Sequence, residues 1–348
     1  MIYTLRANPK IMRQLFLLLS VSVLLLTACG TATEVTPSVE STTAEPQTYV
    51  TFNVNVHDWV FPEDSAAAID KVIDIHEKYQ VPVDIYLDEP ITQIYAKDYP
   101  ELIERLKTSS MVAVSYHTRP PSPYAFGFDV LKLGEMSDQE RYETVKEYET
   151  HALDLTTGET TDAPGGYLYL KELMGYAPYV AVAMSTPDIQ ATVNKVWEEM
   201  GATFTLVHEV DSTLGTKKNG LFLRPETVEV KGYESVGKLD ADEVMASALT
   251  EAAAKPGDAF INIKWHDDNY YTKGTNWDIV YFVDGDAHGG APLDPPWDTS
   301  LGAKNAKRRT VAQVAAQWAL YEGLVKYASE HEDTLSLINA RNLVEMLP

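Results

Sequence analysis

Three histidines with acidic company are the chemistry-bearing feature of this chain: His57-Asp58, His117, and His266-Asp267-Asp268. Imidazole nitrogens with a carboxylate suit zinc or a similar divalent ion that keeps an open position for water. Such an ion lowers the pKa of that water and polarises a carbonyl. Each histidine also has a plainer reading, as a ring that only hydrogen-bonds at the edge of a sheet. What ties the three together is position, since each closes a stretch with strand character.

The clearest of these stretches is residues 49–59. Val50, Phe52, Val54 and Val56 alternate with Thr51, Asn53, Asn55 and His57, and the run ends at Asp58-Trp59. Strand side chains have period two, so one face is apolar and the other polar. A helix follows from Pro62, its core stripe drawn by Ile69, Val72, Ile73 and His76, which reads His76 as packed and not as a ligand. Residues 80–87 form the next strand, 101–106 a helix, and 111–116 a strand closing on His117. Strand, helix, strand implies parallel pairing. In a parallel α/β barrel the carboxyl ends share one rim, which is where distant residues converge.

Further along, residues 138–151 read as a charged covering helix and 155–166 as loop. A helix from Pro187 ends at Gly201, a strand follows from Thr203 to His208, and a helix capped by Asp240 runs to Ala254. The strand Ala259 to Lys264 repeats the polar face of the first one through Asn262, Lys264 and His266. Residues 269–305 form an aromatic, Gly/Pro-rich insertion long enough to be functional. A long helix over 307–330, a short strand and a closing helix finish the chain. There is no internal repeat.

The net charge of −23 excludes a nucleic-acid binder, which needs a basic surface, and favours neutral or cationic ligands. The excess of 20 Tyr over 9 Phe suits wet clefts and sugar-handling surfaces. Cys29 is the single cysteine, so no disulfide forms within the chain. It follows a positive leader (Arg6, Lys10, Arg13) and the apolar run Leu15 to Leu26, too short for a comfortable span. Leu26-Thr27-Ala28-Cys29 resembles a bacterial lipobox, which implies lipid on Cys29, export, and anchoring to the cell envelope. The expected organisation is a signal peptide over 1–28, a flexible tether over 29–47 and an α/β domain over 48–348.

Residues 64–87 resemble the helix-and-strand step after the first motif of polysaccharide deacetylases of the NodB type. Asn55-Val56-His57-Asp58-Trp59 is similar to a variant of that first motif. Ser115-Tyr116-His117-Thr118 stands at the second, Pro187-Asp188 to Gly201 at the third, and Ile263-Lys264-Trp265-His266-Asp267 at the last. The resemblance implies an irregular (β/α) barrel with long loop insertions. It implies Asp58 and His117 as metal ligands and His266 as the acid that protonates the leaving amine. Two departures stand out: Asn55 occupies the general-base position, and the second motif's second histidine falls at about Pro121. His57 is a candidate replacement ligand, and Asp267, Asp268 or Glu209 a candidate base.

Trp59, Tyr116, Tyr124, Trp265, Tyr270, Tyr271 and Trp277 are expected at the same rim, where rings either stack on sugars or pack the loops. Arg119 would clamp a carboxylate or acyl oxygen. His151 and His288 are loop histidines in their plainer reading. Two functions fit. One is an anchored metal-dependent hydrolase of acyl groups on a carbohydrate, with zinc at His57, Asp58 and His117, catalysis at Asn55, His266 and Asp267, and substrate held by Trp59, Arg119, Tyr124 and Trp265. The other is a barrel without catalysis that binds carbohydrate.

Overall fold

Alternation in the first run does produce a strand, β1 (Thr48–Val56). The structure, a computed structural model, describes residues 46–125, 127–206 and 213–347. The leader, Cys29, nearly all of the tether, His208 and Glu209 lie outside the described residues. Residues Glu45–Pro348 make one compact unit.

Behind β1 comes the helix Pro62–Tyr79, started by Pro62 in the first turn with Glu63 and Asp64 beside it, where acids oppose the helix dipole. It ends on Gln80 in the left-handed region, at φ 56°. The chain then gives β2 (Val83–Leu87) and β3 (Val112–His117). A hairpin of β4 (His151–Leu153) and β5 (Thr160–Pro164) stands apart. The sheet resumes with β6 (Val180–Val182), β7 (Phe204–Thr205), β8 (Lys217–Lys218), β9 (Leu221–Leu223), β10 (Val228–Lys231), β11 (Ala259–His266) and β12 (Ser336–Leu337).

Ten of these strands form one sheet in the order β10-β11-β1-β2-β3-β6-β7-β9-β8, with β12 beside the start of β1. Every pairing is parallel except β8 with β9. The sheet curls, but among the described residues its edges β10 and β8 do not pair, so it is an incompletely closed barrel flanked by helices. This is the irregular β/α barrel expected from the sequence.

The register sets the site. β1 and β11 run side by side from Thr48 opposite Ala259 to Asn55 opposite His266. Their apolar faces pack outward under Pro62–Tyr79 and the long helix Val311–Glu330, where Phe52, Trp265, Tyr270 and Tyr321 are fully buried. Their polar faces point into the curl and are buried as well. Thr51 and Asn53 meet Arg224 there: its Nη2 donates to Thr51 Oγ1 (2.8 Å) and Asn53 Oδ1 (2.9 Å) and lies 3.6 Å from Asp84, while Asn262 bonds Asn53. Sequence alternation gave no sign of this buried arginine.

The hairpin differs from the expectation of a charged helix to 151 followed by loop. The helix Asp138–Tyr148 stops because the next residue, Glu149, turns its carboxylate inward to accept from Tyr124 Oη (2.7 Å) and the Tyr167 backbone N–H (2.8 Å). Gly165 and Gly166 then return so close to residues 148–152 that neither has room for a Cβ, which lets β5 pair with β4.

Candidate functional site

At the carboxyl ends of β1, β3 and β11 the curl opens into a cavity of about 710 Å³, whose floor carries His57, His117, Arg119, Lys264 and His266. The three strand-terminal histidines thus share one chamber. The insertion closes one wall with Trp277, Asp278 and His288.

His57, His266 and Asp268 offer ligand atoms that all lie within 4.8 Å of one another. The two imidazoles meet edge to face at 5.0 Å between ring centres. Asp268 reaches them because the chain leaves β11 in a tight 3-10 turn, Asp267–Tyr270. Two atoms of this group, His57 Nε2 and Asp268 Oδ2, are buried without a hydrogen-bond partner among the described residues. Burial pushes the Asp268 carboxyl well above the usual carboxylate range, and Asp267, Asp58 and Asp278 push it further. Burial also holds His57, His117 and His266 well below the usual imidazole range, with Arg119 adding to the effect, so all three rings stay neutral at pH 7. Neutral imidazoles, a carboxylate in negative company and orphaned polar atoms together form a His/His/Asp cluster able to coordinate a divalent ion.

The other expected site residues fall in distinct places. Asp58 stands next to the group but outside it: Oδ2 accepts from Tyr271 Oη and Asn276 Nδ2, both at 2.8 Å, and Oδ1 from the Val60 N–H at 3.1 Å. Asp267 accepts from the backbone N–H groups of His57 (3.3 Å) and Asp58 (3.2 Å) and from the Ser65 hydroxyl, and its Oδ1 lies 3.8 Å from His57 Nε2. It therefore clamps the end of β1. His117 lines the cavity, and its Nδ1 lies 2.8 Å from the Thr118 carbonyl, which fixes that nitrogen as the donor. Asn55 Nδ2 is 3.5 Å from His266 Nε2. Arg119 Nε donates to His57 Nδ1 at 3.2 Å, and burial draws its own pKa down to about 10.

Trp59, Tyr124 and Trp265 do not line the chamber. Trp265 precedes His266 on β11, so period two turns it outward, where it stacks on Tyr270 at 6.0 Å. Trp59 joins an apolar cluster with Tyr281, and Tyr124 is tied to Glu149. Tyr116 is buried against Tyr167 and Trp197. His76 is packed, its nitrogens 2.8 Å from the Val81 carbonyl and from Tyr321 Oη. His151, at the start of β4, bonds locally to Thr150 Oγ1 and to the Glu147 carbonyl at the end of the preceding helix.

Sequence reasoning missed how the insertion is fastened. Trp277 Nε1 donates to His57 Nδ1 at 3.3 Å, Asn276 and Tyr271 hold Asp58, and Thr272 accepts from Asn276 Nδ2 at 3.3 Å. Residues 271–278 are thereby pinned to the end of β1. No periodicity marks such a segment; the aromatic richness of the insertion was the available signal.

No protein-family model matches the chain, and no curated protein sequence matches it. Similar solved structures include the 4-alpha-glucanotransferase of Thermococcus litoralis, at TM-score 0.48 and 10% identity over 87% of this chain and 41% of that one. The chain thus spans about two fifths of that protein's length. A peptidoglycan deacetylase from Bacillus subtilis gives TM-score 0.32 and 12% identity over 86% and 91%. A CE4 family pseudoenzyme from Bacillus anthracis gives TM-score 0.34 and 9% identity over 64% and 57%.

Proposed function

We propose that this protein is a metal-dependent hydrolase that removes N-acetyl or other acyl groups from a carbohydrate. The observation that carries the proposal is the His57, His266 and Asp268 group at the floor of a chamber of about 710 Å³. When bound there, a divalent ion such as zinc supplies a polarised acyl carbonyl and a more acidic water. The protein's own residues do the rest. His117 and Trp277 line the chamber beside His57, and Asp267 fixes the end of β1. Arg119 holds His57 from behind through Nδ1. This ligand set takes His266 and Asp268 where the sequence resemblance implied Asp58 and His117, and so uses as a ligand the histidine expected to be the acid.

Export and anchoring through lipid on Cys29 complete the proposal. No helix of the described residues is long and apolar enough to cross a membrane. Replacing Cys29→Ser should move the protein from the membrane fraction to the medium or periplasm; a wild-type protein that is not membrane-associated would refute the anchor.

One observation favours a second reading, a carbohydrate-binding barrel without catalysis. Two N–H donors, from Arg119 and Trp277, converge on His57 Nδ1, which places the neutral ring's proton on Nε2. An ion on Nε2 requires that arrangement to change. The deciding experiment loads the purified protein with zinc and supplies an N-acetylglucosamine tetramer. Acetate release that stops on chelation supports the hydrolase. Tetramer binding that is indifferent to chelator, with no acetate released, supports the binding barrel.

A further inference from the structure

Asn55 cannot accept a proton from water, so a hydrolase built on this chamber needs another proton acceptor, an imidazole or a carboxylate. The acids near the site are mostly committed. Asp267 is held by two backbone N–H groups and Ser65, and Asp58 by Tyr271, Asn276 and Val60. Asp268 belongs to the candidate ligand group. Among the rim acids, Glu229 bonds Lys264 at 3.1 Å, Glu226 accepts from Asn262 at 2.6 Å, and Glu234 is exposed to solvent.

Asp278 is different. It begins the short helix Asp278–Tyr281 inside the insertion and lines the chamber that holds His57 and His266. Its Oδ1 is buried and takes no hydrogen bond among the described residues. Its place is fixed by its neighbours in the chain, since Trp277 bonds His57 and Asn276 bonds Asp58. It also lines a second cavity of about 340 Å³ behind the insertion, so it stands in the wall between the two spaces.

We infer that Asp278 is the proton-transfer residue of this site, supplied by the insertion in place of the base missing at Asn55. The inference rests on the hydrolase reading. In the step, a water proton passes to the Asp278 carboxylate while the water oxygen bonds to the acyl carbon. The carbon–nitrogen bond then breaks, and the proton leaves Asp278 for the departing nitrogen. The products are the carboxylic acid and the free amine, with no other reactant needed.

The surroundings suit the task. Burial pushes the Asp278 carboxyl up to about 7; the Arg119 guanidinium pulls it down and Asp286 pushes it up. A group balanced near the working pH both takes and returns a proton. His57, His266 and His288 face the same chamber.

The test uses the zinc-loaded protein, with the N-acetylglucosamine tetramer and 4-nitrophenyl acetate as probes. Asp278→Asn should keep its zinc while kcat/KM falls by about 10²–10⁴-fold, Asp278→Glu should recover part of the rate, and the rising limb of the pH profile near 7 should vanish in Asp278→Asn. An Asp278→Asn protein that holds zinc and works within about twofold of wild type would overturn the inference. Infrared difference spectra of wild type against Asp278→Asn give a readout independent of turnover. A carboxyl band titrating near pH 7 and absent from the variant supports the assignment; one titrating in the ordinary carboxylate range overturns it. A wild type inactive on both probes counts against the hydrolase reading, and the infrared result then judges Asp278 alone.

Discussion

Two buried histidines stand on opposite sides of β1 and are treated differently by the fold. His76, on the helix behind the sheet, sits edge-on to Phe52 at 5.3 Å between ring centres and has both nitrogens within 2.8 Å of an oxygen. His57, at the mouth, receives two donors on Nδ1 while its Nε2 is buried with none. Both rings lose water, but only the first is repaid within the fold. A buried polar atom without a partner costs roughly 1–3 kcal/mol, which a core has no reason to bear and a ligand site does. The contrast separates a histidine that builds the protein from one set up to hold something.

The largest expected effect tests the packed side. Burial lowers the pKa of His76 to about 4, against about 6.5 in an unfolded chain. The unfolded chain binds the extra proton between those values. The stability this ring contributes is therefore complete above about pH 6.5 and lost as pH falls towards 4, about 3 kcal/mol in all. Denaturant unfolding at several pH values should show His76→Phe lacking that part of the slope; a variant with the wild-type slope would break the comparison.

At the mouth the sign reverses. Asp268→Asn removes a buried carboxylate without a protein partner on Oδ2, so the metal-free variant should be at least as stable as wild type while zinc affinity falls by more than ~100-fold. Calorimetric titration and thermal unfolding check the two halves together; a destabilised variant with unchanged affinity would make Asp268 a structural residue. The smallest effect sharpens the boundary between the regions. Asp58→Asn should cost about 1–3 kcal/mol, because it weakens the bonds to Tyr271 and Asn276 that hold the insertion, yet leave zinc per chain unchanged. Loss of zinc in that variant would restore Asp58 as a ligand.

Much of the framework was legible because it follows periodicity. Period two in 49–57 and the stripe of Ile69, Val72, Ile73 and His76 gave the first strand and helix. The parallel order then brought His57, His117 and His266 to one rim. Trp265 could have been assigned to the core by the same rule, since a cavity-facing His266 turns its neighbour outward. The choice between Asp58 and Asp268 was not readable, because both follow a strand-end histidine and only the turn Asp267–Tyr270 decides which carboxylate reaches the imidazoles. Arg224 and Asp278 left no trace either. Arg224 follows a strand only three residues long, and Asp278 owes its position to hydrogen bonds made by its neighbours, not to any repeat.

The account turns on a divalent ion shared by the ends of β1 and β11. Native mass spectrometry of the wild type and His266→Ala, each equilibrated with the same free zinc, tests it most directly. One ion per chain in the wild type and none in the variant is the predicted result. A wild type that binds no ion, or a variant that binds as the wild type does, would contradict it.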